Sequence, residues 1–269
     1  IVAAGIDLSL ASTLAFSGMA LGLLNRAVPG IPMIVILVLA IAIGVALGAF
    51  NGFMIARAGI PAIIMTLGTM SIYRGFVFVM SGGEWVSADE MSESFRSFPR
   101  AGPFGFSMLV ILAAVVIVLV YLFLNHTRTG REFFGVGGNR TASEYVGIKV
   151  RKVQFLSFVA SGAIAGLSGL MWVSRYASAQ NDTAAGFELQ TVAACVIGGV
   201  SIMGGSGSVS GVVLGALFLG IVKNALTVTR ISPFWQLAIQ GFVILVAISL
   251  NAVLAERARE RSLRRRRAL

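Results

Sequence analysis

The sequence predicts an all-α polytopic membrane protein, and two features of its composition support that class. Of its 269 residues, 57% are hydrophobic and only 12% are charged, whereas charged residues make up roughly 25% of an ordinary soluble domain. Apolar runs of the length that a helix needs to cross a bilayer, roughly 20 residues, recur along the chain. We therefore interpret residues 1–269 as a single transmembrane domain.

Eight apolar runs are predicted as membrane spans, with shorter runs accepted where neighbouring protein can cover their ends. In chain order they are 8–24, 33–56, 60–80, 107–124, 153–173, 189–202, 209–229 and 234–252. The sixth, with the sequence LQTVAACVIGGVSI, is short, and we expect it to be a broken or partial span. Because the chain starts at Ile1 within apolar sequence, we also expect further helices upstream.

Glycine occurs 32 times, and two spans contain it at small-xxx-small spacing. The two stretches are GVALGAFNG, which starts at Gly44, and GVVLGALFLG, which starts at Gly211. Such spacing lets helix backbones approach closely within lipid, where helix association depends on packing. The pattern predicts tightly packed spans, and tolerated flexibility is the alternative reading for part of the glycines.

Lysine and arginine near the span ends predict the orientation, because cytoplasmic loops carry an excess of both. Fourteen basic residues fall on one side, in the insert 126–152, in the tail 253–269 and at Arg57, and five fall on the other side. The insert and the tail are therefore predicted to be cytoplasmic. The net charge of +10 is mainly a signal of topology, and a nucleic-acid-binding role for the arginine-rich tail is the weaker interpretation.

The two halves of the chain carry a divergent but ordered repeat. GIDLS near the start has a counterpart in GFELQ, and the segment that begins at Asn51 has one that begins at Asn224. The predicted topology places Asp7 toward the cytoplasmic end of its span and Glu188 at the outer end of its own, so the halves are inverted. Inverted repeats are common in transporters, whose path lies at the repeat interface. Chance similarity between two apolar stretches is the competing interpretation.

Polar groups at membrane depth are costly unless they are paired or line water. Asp7, Ser9, Glu188 and Asn224 are therefore the candidates for residues of a translocation path. The alternative for each acid is a helix cap, since a carboxylate near the first turn satisfies free amides and the helix dipole. The two roles can coexist.

The sequence offers little for catalysis, with one histidine, His126, and one cysteine, Cys195. It therefore predicts neither a metal site from the usual donors nor a catalytic residue. No GxxxxGK[ST] phosphate loop is present, so we expect this chain to bind no ATP itself. GGSGS at 204–208 lacks the lysine of such a loop and is predicted to form a tight cytoplasmic turn. Transport is favoured over an enzymatic function.

The insert 126–152 lies between two apolar runs and carries six basic residues. Asn139 is a good N-cap, Glu144 lies early in the helix that would follow, and Gly147 suits the C-terminal end. The pattern predicts a helix of about two turns on the cytoplasmic side. So short a helix is marginal in water unless it rests on other groups. It is either a docking surface for a cytoplasmic partner or an ordinary basic loop on the bilayer.

Three stretches together resemble one family: GIDLS, TRTGREFFGVGGNRTASEYVGI and AACVIGGVSIMGGSGSVSGVVLGA. Over nearly its whole length the chain is similar to the permease subunits of bacterial ABC importers for monosaccharides. This is the ribose, xylose, galactose and rhamnose type, which includes autoinducer-2 permeases. The resemblance implies an inner-membrane fold of about ten helices on an inverted repeat, two of them upstream of Ile1. It also implies a second permease, two cytoplasmic ATPase subunits that bind the ATP and Mg²⁺, and an external sugar-binding protein.

The resemblance further implies roles for particular residues. The family's ATPase-coupling segment is matched here by the stretch that contains Gly138, Asn139, Arg140, Ala142, Glu144, Gly147 and Ile148. Its GIDLS element is matched by Gly5, Asp7, Leu8 and Ser9. Its glycine-rich turn is matched by Gly198, Gly199, Ser201, Gly204, Gly205 and Gly207. The chain departs from the family pattern at Ser143 and at Leu10 and Ala11, which leaves the sugar unassigned.

We therefore predict a permease subunit of an ATP-driven importer that moves a monosaccharide or a similar polyol-like solute into the cytoplasm. A secondary transporter, coupled to ions or protons through Asp7 or Glu188, is the first alternative. Within the ABC class, autoinducer-2 and branched-chain amino acid permeases are alternatives. A non-transporting membrane scaffold would leave the inverted repeat unexplained.

Overall fold

The structure is a computed structural model that describes residues 1–232, together with 235–236, 238–239, 241–243, 245–246 and 249. The α-helices within residues 1–232 are α1 (Leu10–Ala27), α2 (Met33–Ala58), α3 (Ala62–Ser81), α4 (Glu93–Ser97), α5 (Met108–His126), α6 (Arg128–Gly138), α7 (Arg140–Tyr145), α8 (Val150–Tyr176), α9 (Phe187–Ile197) and α10 (Val209–Val228). This described part contains no strand beyond one isolated backbone bridge, which confirms the all-α class. The predicted span 234–252 is only partly covered, and the tail 253–269 lies outside the described residues.

Five helices of the described part are long and apolar enough to cross a membrane, namely α2, α3, α5, α8 and α10. Each of them begins within three residues of a predicted span. α9 has 11 residues, about half of what a span needs, which agrees with the expectation of a partial span. α1 forms where it was predicted but is not among the five, because polar residues interrupt its apolar sequence.

α1 lies at the centre of the helices, where it packs against α2, α3 and α8. Its polar side chains Ser12, Thr13 and Ser17 are buried. The Ser17 hydroxyl donates a hydrogen bond to the carbonyl oxygen of Gly166 at 3.0 Å, and the Ser12 hydroxyl donates to that of Ser9 at 2.8 Å. Buried hydroxyl groups require such partners. The polar residues of α1 therefore reflect its burial within protein rather than contact with lipid.

α2 and α8 form the most extensive helix pair of the described residues. Gly44 and Gly48 of α2 face Gly162 and Gly166 of α8 so closely that a side chain on any of the four would overlap backbone atoms opposite. A β-carbon on Gly44, for example, would lie 2.9 Å from the α-carbon of Gly166. The prediction of close packing for GVALGAFNG is confirmed.

The second small-residue stretch, GVVLGALFLG, packs α10 against α9. A β-carbon on Gly215 would overlap the carbonyl oxygen of Ala194, and one on Gly211 would overlap that of Gly198. Nothing lies within 4 Å of the corresponding position on Gly220. Two of the three glycines in this stretch therefore serve helix packing, and the third does not.

The segment 82–107, which we call the cap, closes one end of the helices. Its backbone forms an antiparallel bridge between Val86 and Ala179, the latter just after α8. Its Glu90 carboxylate pairs with Arg26 near the end of α1 at 3.1 Å. The end of α1, the cap and the loop after α8 therefore lie at the same end of the molecule, as the predicted topology requires.

The start of the chain and the glycine-rich turn, 198–208, meet at the opposite end. The backbone N–H of Gly205 donates a hydrogen bond to the carbonyl oxygen of Val2 at 2.9 Å. At the other end of α9, Phe187 packs beside Leu14 in the second turn of α1. α1 and α9 therefore run in opposite directions, which is the arrangement expected for the helices that follow GIDLS and GFELQ in an inverted repeat.

Candidate functional site

Asp7 lies in the segment that leads into α1, where several donors hold its carboxylate. Its Oδ1 accepts hydrogen bonds from the backbone N–H and the hydroxyl of Ser9 at 3.0 and 2.6 Å. Its Oδ2 accepts from the hydroxyl of Ser161 in α8 at 3.4 Å. Because Ser9 is the N-cap of α1, Asp7 also satisfies an amide at the start of a helix. The structure thus brings together two predicted path residues and adds Ser161, which the sequence did not indicate.

The polar contacts continue from Ser9 into α2 and α3. The hydroxyl of Ser9 accepts a hydrogen bond from the side-chain amide of Asn51 at 2.8 Å. The hydroxyl of Tyr73 donates to the carbonyl oxygen of Leu47 at 3.0 Å and lies 3.4 Å from the amide oxygen of Asn51. We call these residues, from Ser161 through Asp7 to Tyr73, the Asp7 network. Buried networks whose members are satisfied favour one arrangement of the surrounding helices.

A cleft of about 210 Å³, the Asp7 cleft, opens between the start of α1, α8 and α9. Its polar lining consists of Asp7, Ser157, Ser161 and Thr191. The three hydroxyl groups donate within the protein, to Gln154, Asp7 and Glu188. Their oxygens and the carboxylate can still accept hydrogen bonds, so this lining suits a small solute whose hydroxyl groups donate. A larger groove of about 480 Å³ between α5 and α8 is lined mainly by apolar side chains, and it offers little to such a solute.

Cys195 lines the Asp7 cleft from α9 and is only half-buried. A free cysteine is usually among the most buried residues of a protein. The difference arises because α9 is short and contacts α1 only sparsely, which leaves one of its faces open to the cleft.

Glu188 lies apart from the Asp7 cleft, half-buried in the first turn of α9. A carboxylate at this position complements the helix dipole, as the capping alternative predicts. The loop before α9 is held by Arg74 of α3, whose guanidinium donates hydrogen bonds to the carbonyl oxygens of Asn181 and Thr183 at 3.2 and 2.7 Å. Glu188 is therefore placed at the entrance of a half-span rather than beside Asp7.

Asn224 is exposed on α10 and does not line the Asp7 cleft. Its counterpart in the repeat, Asn51, is fully buried in the Asp7 network. Equivalent positions of the repeat thus have different environments, and Asn51 but not Asn224 belongs to the network. Over the described residues, His, Cys, Asp and Glu side chains do not form a group of three that could hold a metal ion.

In the insert, α7 follows the predicted pattern closely. The side chain of Asn139 accepts a hydrogen bond from the backbone N–H of Ala142 at 2.9 Å, so it is the N-cap. Gly147 follows the helix with a φ of +84°, a conformation that favours glycine. The N-cap at Asn139 and the helix-terminating glycine at Gly147, which the sequence predicted, are both present.

The prediction of a single short helix in the insert is nevertheless incomplete, because α6 precedes α7. Thr127 caps α6 by accepting a hydrogen bond from the backbone N–H of Gly130 at 3.0 Å. Phe133 and Val136 of α6 are buried in a cluster with Val150 and Val153 of α8 and with Ala3 near the start of the chain. The sequence did not indicate this helix, and burial of one apolar face outweighs the low helix propensity of its glycines.

Most of the predicted ATPase-coupling residues are exposed, and only Ile148 among them is half-buried. Arg140 and Glu144 face each other along α7 at 3.5 Å. Beside them Tyr145 and Val146 are exposed over 88% and 77% of their surfaces. Two large apolar side chains exposed together at the end of a basic segment indicate a contact surface. Neither residue was predicted from the sequence, although an aromatic side chain within a polar helix was a signal for Tyr145.

The glycine-rich turn closes on itself and contacts the end of α6. The backbone N–H of Ser201 donates a hydrogen bond to the carbonyl oxygen of Ser206 at 3.1 Å. A β-carbon on Gly205 would lie 2.5 Å from the α-carbon of Gly138. Positive φ angles occur in the turn at Gly199, Gly204, Gly205 and Gly207. Gly198 has an ordinary φ and serves the packing of α9 on α10 instead.

Comparison with known proteins gives a consistent picture. A family model described as "Branched-chain amino acid transport system / permease component" matches residues 1–248. No solved structure gives a significant match to the chain.

The curated relatives include permease proteins of import and transport systems. The autoinducer 2 import system permease protein LsrC of Enterobacter sp. (strain 638) is 34% identical over 265 residues, which cover 98% of this chain and 75% of that protein. The ribose import permease protein RbsC of Escherichia coli (strain K12) is 34% identical over 255 residues, covering 93% and 78%. The L-arabinose transport system permease protein AraH of the same strain is 39% identical over 198 residues, covering 74% and 60%.

These matches confirm the resemblance to permeases of monosaccharide-type ABC importers. The membrane-spanning helices and the antiparallel α1 and α9 agree with that class. The chain therefore belongs to the family of transport-system permease components and is a multi-pass membrane permease.

Proposed function

We propose that this chain moves a monosaccharide or a similar polyhydroxylated solute into the bacterial cytoplasm, driven by a separate ATPase subunit that binds the ATP and Mg²⁺. A second permease completes the membrane part, and an external binding protein delivers the solute. The relatives named for ribose and L-arabinose support this solute class. In this proposal the insert and the C-terminus are cytoplasmic, as the distribution of basic residues predicts.

The observation that carries the proposal is the exposed surface of α7. Tyr145 and Val146 are the most exposed large apolar residues of the insert, and they stand next to the paired charges of Arg140 and Glu144. Aromatic anchors surrounded by charged groups are typical of protein interfaces. A loop that only rests on the bilayer would not require a capped helix held in place by a second, partly buried helix. We therefore assign α7 as the surface on which the ATPase docks.

The Asp7 cleft is the proposed passage for the solute. It combines a carboxylate with three hydroxyl side chains, whose oxygens can accept hydrogen bonds from the hydroxyl groups of a sugar. Its position beside α9 also agrees with transporters in which the path lies at the interface of inverted repeats and is lined by a discontinuous helix.

A secondary transporter is the second candidate function, and Asp7 is the observation that favours it. A carboxylate that lines a cleft within a membrane protein can carry a coupling ion or proton. A branched-chain amino acid is the alternative solute, as the description of the family model suggests.

Uptake by the full-length protein decides between these functions. The permease would be reconstituted into liposomes with the ATPase and binding protein encoded beside it, and ribose, L-arabinose and leucine would be offered as solutes. We expect uptake of one sugar that requires ATP hydrolysis and survives ionophores that dissipate ion gradients. Uptake that needs no ATP and collapses with the ionophores would establish the secondary transporter instead, and leucine uptake would overturn the proposed solute class.

Substitutions at the two ends of α7 test its role in coupling. Asn139→Ala removes the N-cap at a cost of about 1 kcal/mol, and Gly147→Ala places a side chain at a positive φ, which costs about 1–2 kcal/mol. Neither change touches a membrane span, so we expect normal insertion into the membrane. Uptake per ATP hydrolysed should fall severalfold in both variants.

Ser107→Ala is the matched control. Ser107 is the N-cap of α5, and it lies at the end of the molecule that the segment 82–107 closes. The loss of this N-cap should leave uptake per ATP hydrolysed unchanged. Normal uptake and hydrolysis in Asn139→Ala and in Gly147→Ala would contradict the coupling role of α7.

A further inference from the structure

α6, the glycine-rich turn and the start of the chain meet in a three-way backbone contact. The backbone N–H of Gly205 donates a hydrogen bond to the carbonyl oxygen of Val2 at 2.9 Å. Gly137, in the last turn of α6, lies against both residues. A β-carbon at this position would overlap the Val2 carbonyl oxygen and lie 2.5 Å from the Gly205 nitrogen. No side chain separates these three backbones, and we call the contact the Gly137 junction.

The Gly137 junction encloses the residues that lead to Asp7. Ala3 is buried in the cluster that contains Phe133 of α6. Next in the chain, the nitrogen of Ala4 lies 2.8 Å from the position that a β-carbon on Gly204 would occupy. The segment before Asp7 is therefore clamped between α6 and the glycine-rich turn, and a short stretch of chain connects this clamp to the carboxylate in the cleft.

We infer that the Gly137 junction sets the position of Asp7 according to the position of α6 and α7. A displacement of the insert by the ATPase would thereby reach the Asp7 cleft through backbone contact. The inference rests on the proposed function, in which α7 is the docking surface of the ATPase. Gly137 and Gly205 are positioning residues, since neither of them lines the cleft.

Direct backbone contact suits this task for a physical reason. A side chain between two elements absorbs a small displacement by changing its rotamer. Backbones in van der Waals contact have no such freedom, and packed protein interiors have low compressibility. α6 therefore cannot move toward Val2 without moving the first residues of the chain, so a shift of the insert is passed on rather than absorbed.

Gly137→Ala tests the junction by crowding it, and Gly135→Ala is the matched control. Both substitutions lie in α6, but a β-carbon on Gly135 meets only ordinary contacts at 3.5 Å. The complete transporter would be reconstituted with its ATPase and binding protein, with ribose and L-arabinose as the solutes offered. We expect Gly137→Ala to retain the ATPase and its hydrolysis but to lower uptake per ATP hydrolysed at least about tenfold. Gly135→Ala should behave like the unmodified protein.

The thiol of Cys195 provides a second readout, because it is the chain's single cysteine and lines the Asp7 cleft. With cysteine-free partner subunits, a maleimide reports access to the cleft. In the unmodified transporter we expect the rate of labelling to differ between the nucleotide-free and the ATP-bound state. In Gly137→Ala the two rates should be equal. A purely structural role of Gly137 would change the stability of the protein without removing this dependence on nucleotide.

Ala3→Gly loosens the packing of the segment beside the junction instead of crowding it, so it decides the question if Gly137→Ala does not fold. We expect a fall of about threefold in uptake per ATP hydrolysed. Unchanged uptake and unchanged nucleotide dependence in the variants that fold would overturn the inference. If the Gly137→Ala variant no longer binds the ATPase, the inference is overturned as well, because the junction would then be required for docking of the ATPase rather than for transmission to the cleft. If the unmodified transporter itself shows no ATP-driven uptake, the proposed function fails, and the inference fails with it.

Discussion

Gly162→Ala is expected to prevent the packing of α2 against α8 and thereby to destabilise the whole helical core. The added β-carbon would overlap the carbonyl oxygen of Gly44 and lie 2.8 Å from the α-carbon of Gly48. Both are backbone atoms, which cannot rotate away as a side chain does, so the two helices would have to separate. Overpacking costs about 1–3 kcal/mol and sometimes more. We expect at least the upper end of that range, because α2 and α8 form the most extensive helix pair described.

The measurement is the thermal unfolding midpoint in detergent, together with the fraction of protein that elutes as a single species in size-exclusion chromatography. Gly68→Ala in α3 is the matched control, since nothing lies within 4 Å of the position of its β-carbon. This variant should keep the stability of the unmodified protein. Equal midpoints for Gly162→Ala and Gly68→Ala would contradict the close approach of α2 and α8.

Asp7→Asn is expected to lower uptake at least about tenfold while the protein remains folded. The substitution keeps the size of the side chain but replaces one acceptor oxygen with an NH₂ donor. Ser9 and Ser161 both donate hydrogen bonds to the carboxylate, and in the variant these bonds lose their charged acceptor. A hydrogen bond to a charged group contributes about 1.5–3 kcal/mol. A loss of that size shifts the equilibrium between arrangements of the cleft by about tenfold or more.

The initial rate of sugar uptake, normalised to the amount of folded transporter, measures this effect. Asp89→Asn is the matched control, because Asp89 is an exposed acid of the cap. It should transport at the rate of the unmodified protein. A normal rate for Asp7→Asn would remove Asp7 from the proposed passage, and the assignment of the Asp7 cleft would then be wrong.

Several features of the fold could be predicted because they depend on residues that are close in sequence. The length and hydropathy of α2, α3, α5, α8 and α10 indicated their spans. The N-cap at Asn139 and the stop at Gly147 were readable for the same reason, since a cap is formed within one turn of a helix. α6 was missed because its glycines argue locally for a loop, whereas its helix is stabilised by contacts with α8 and with the start of the chain.

The candidate site was predicted only in part. The cost of an acid at membrane depth pointed to Asp7, which lines the cleft, but the same argument applied equally to Glu188, which lies at the start of α9 instead. The repeat aligns Asn51 with Asn224, and Asn224 was the residue predicted for the path, whereas Asn51 is buried in the Asp7 network and Asn224 is exposed. Tertiary contacts distinguish the members of each pair, and they depend on the packing of the helices rather than on local sequence.

The sequence by itself determined the class of this protein, the position of most of its helices and the family to which it belongs. All three follow from hydropathy, capping and motifs, which are properties of neighbouring residues. The tertiary structure alone decided that Ser161 joins Asp7 and that Gly137 meets Val2 and Gly205. These contacts join residues far apart in the chain, and they form only because the glycines of the packed helices let the backbones approach closely enough to bring them together.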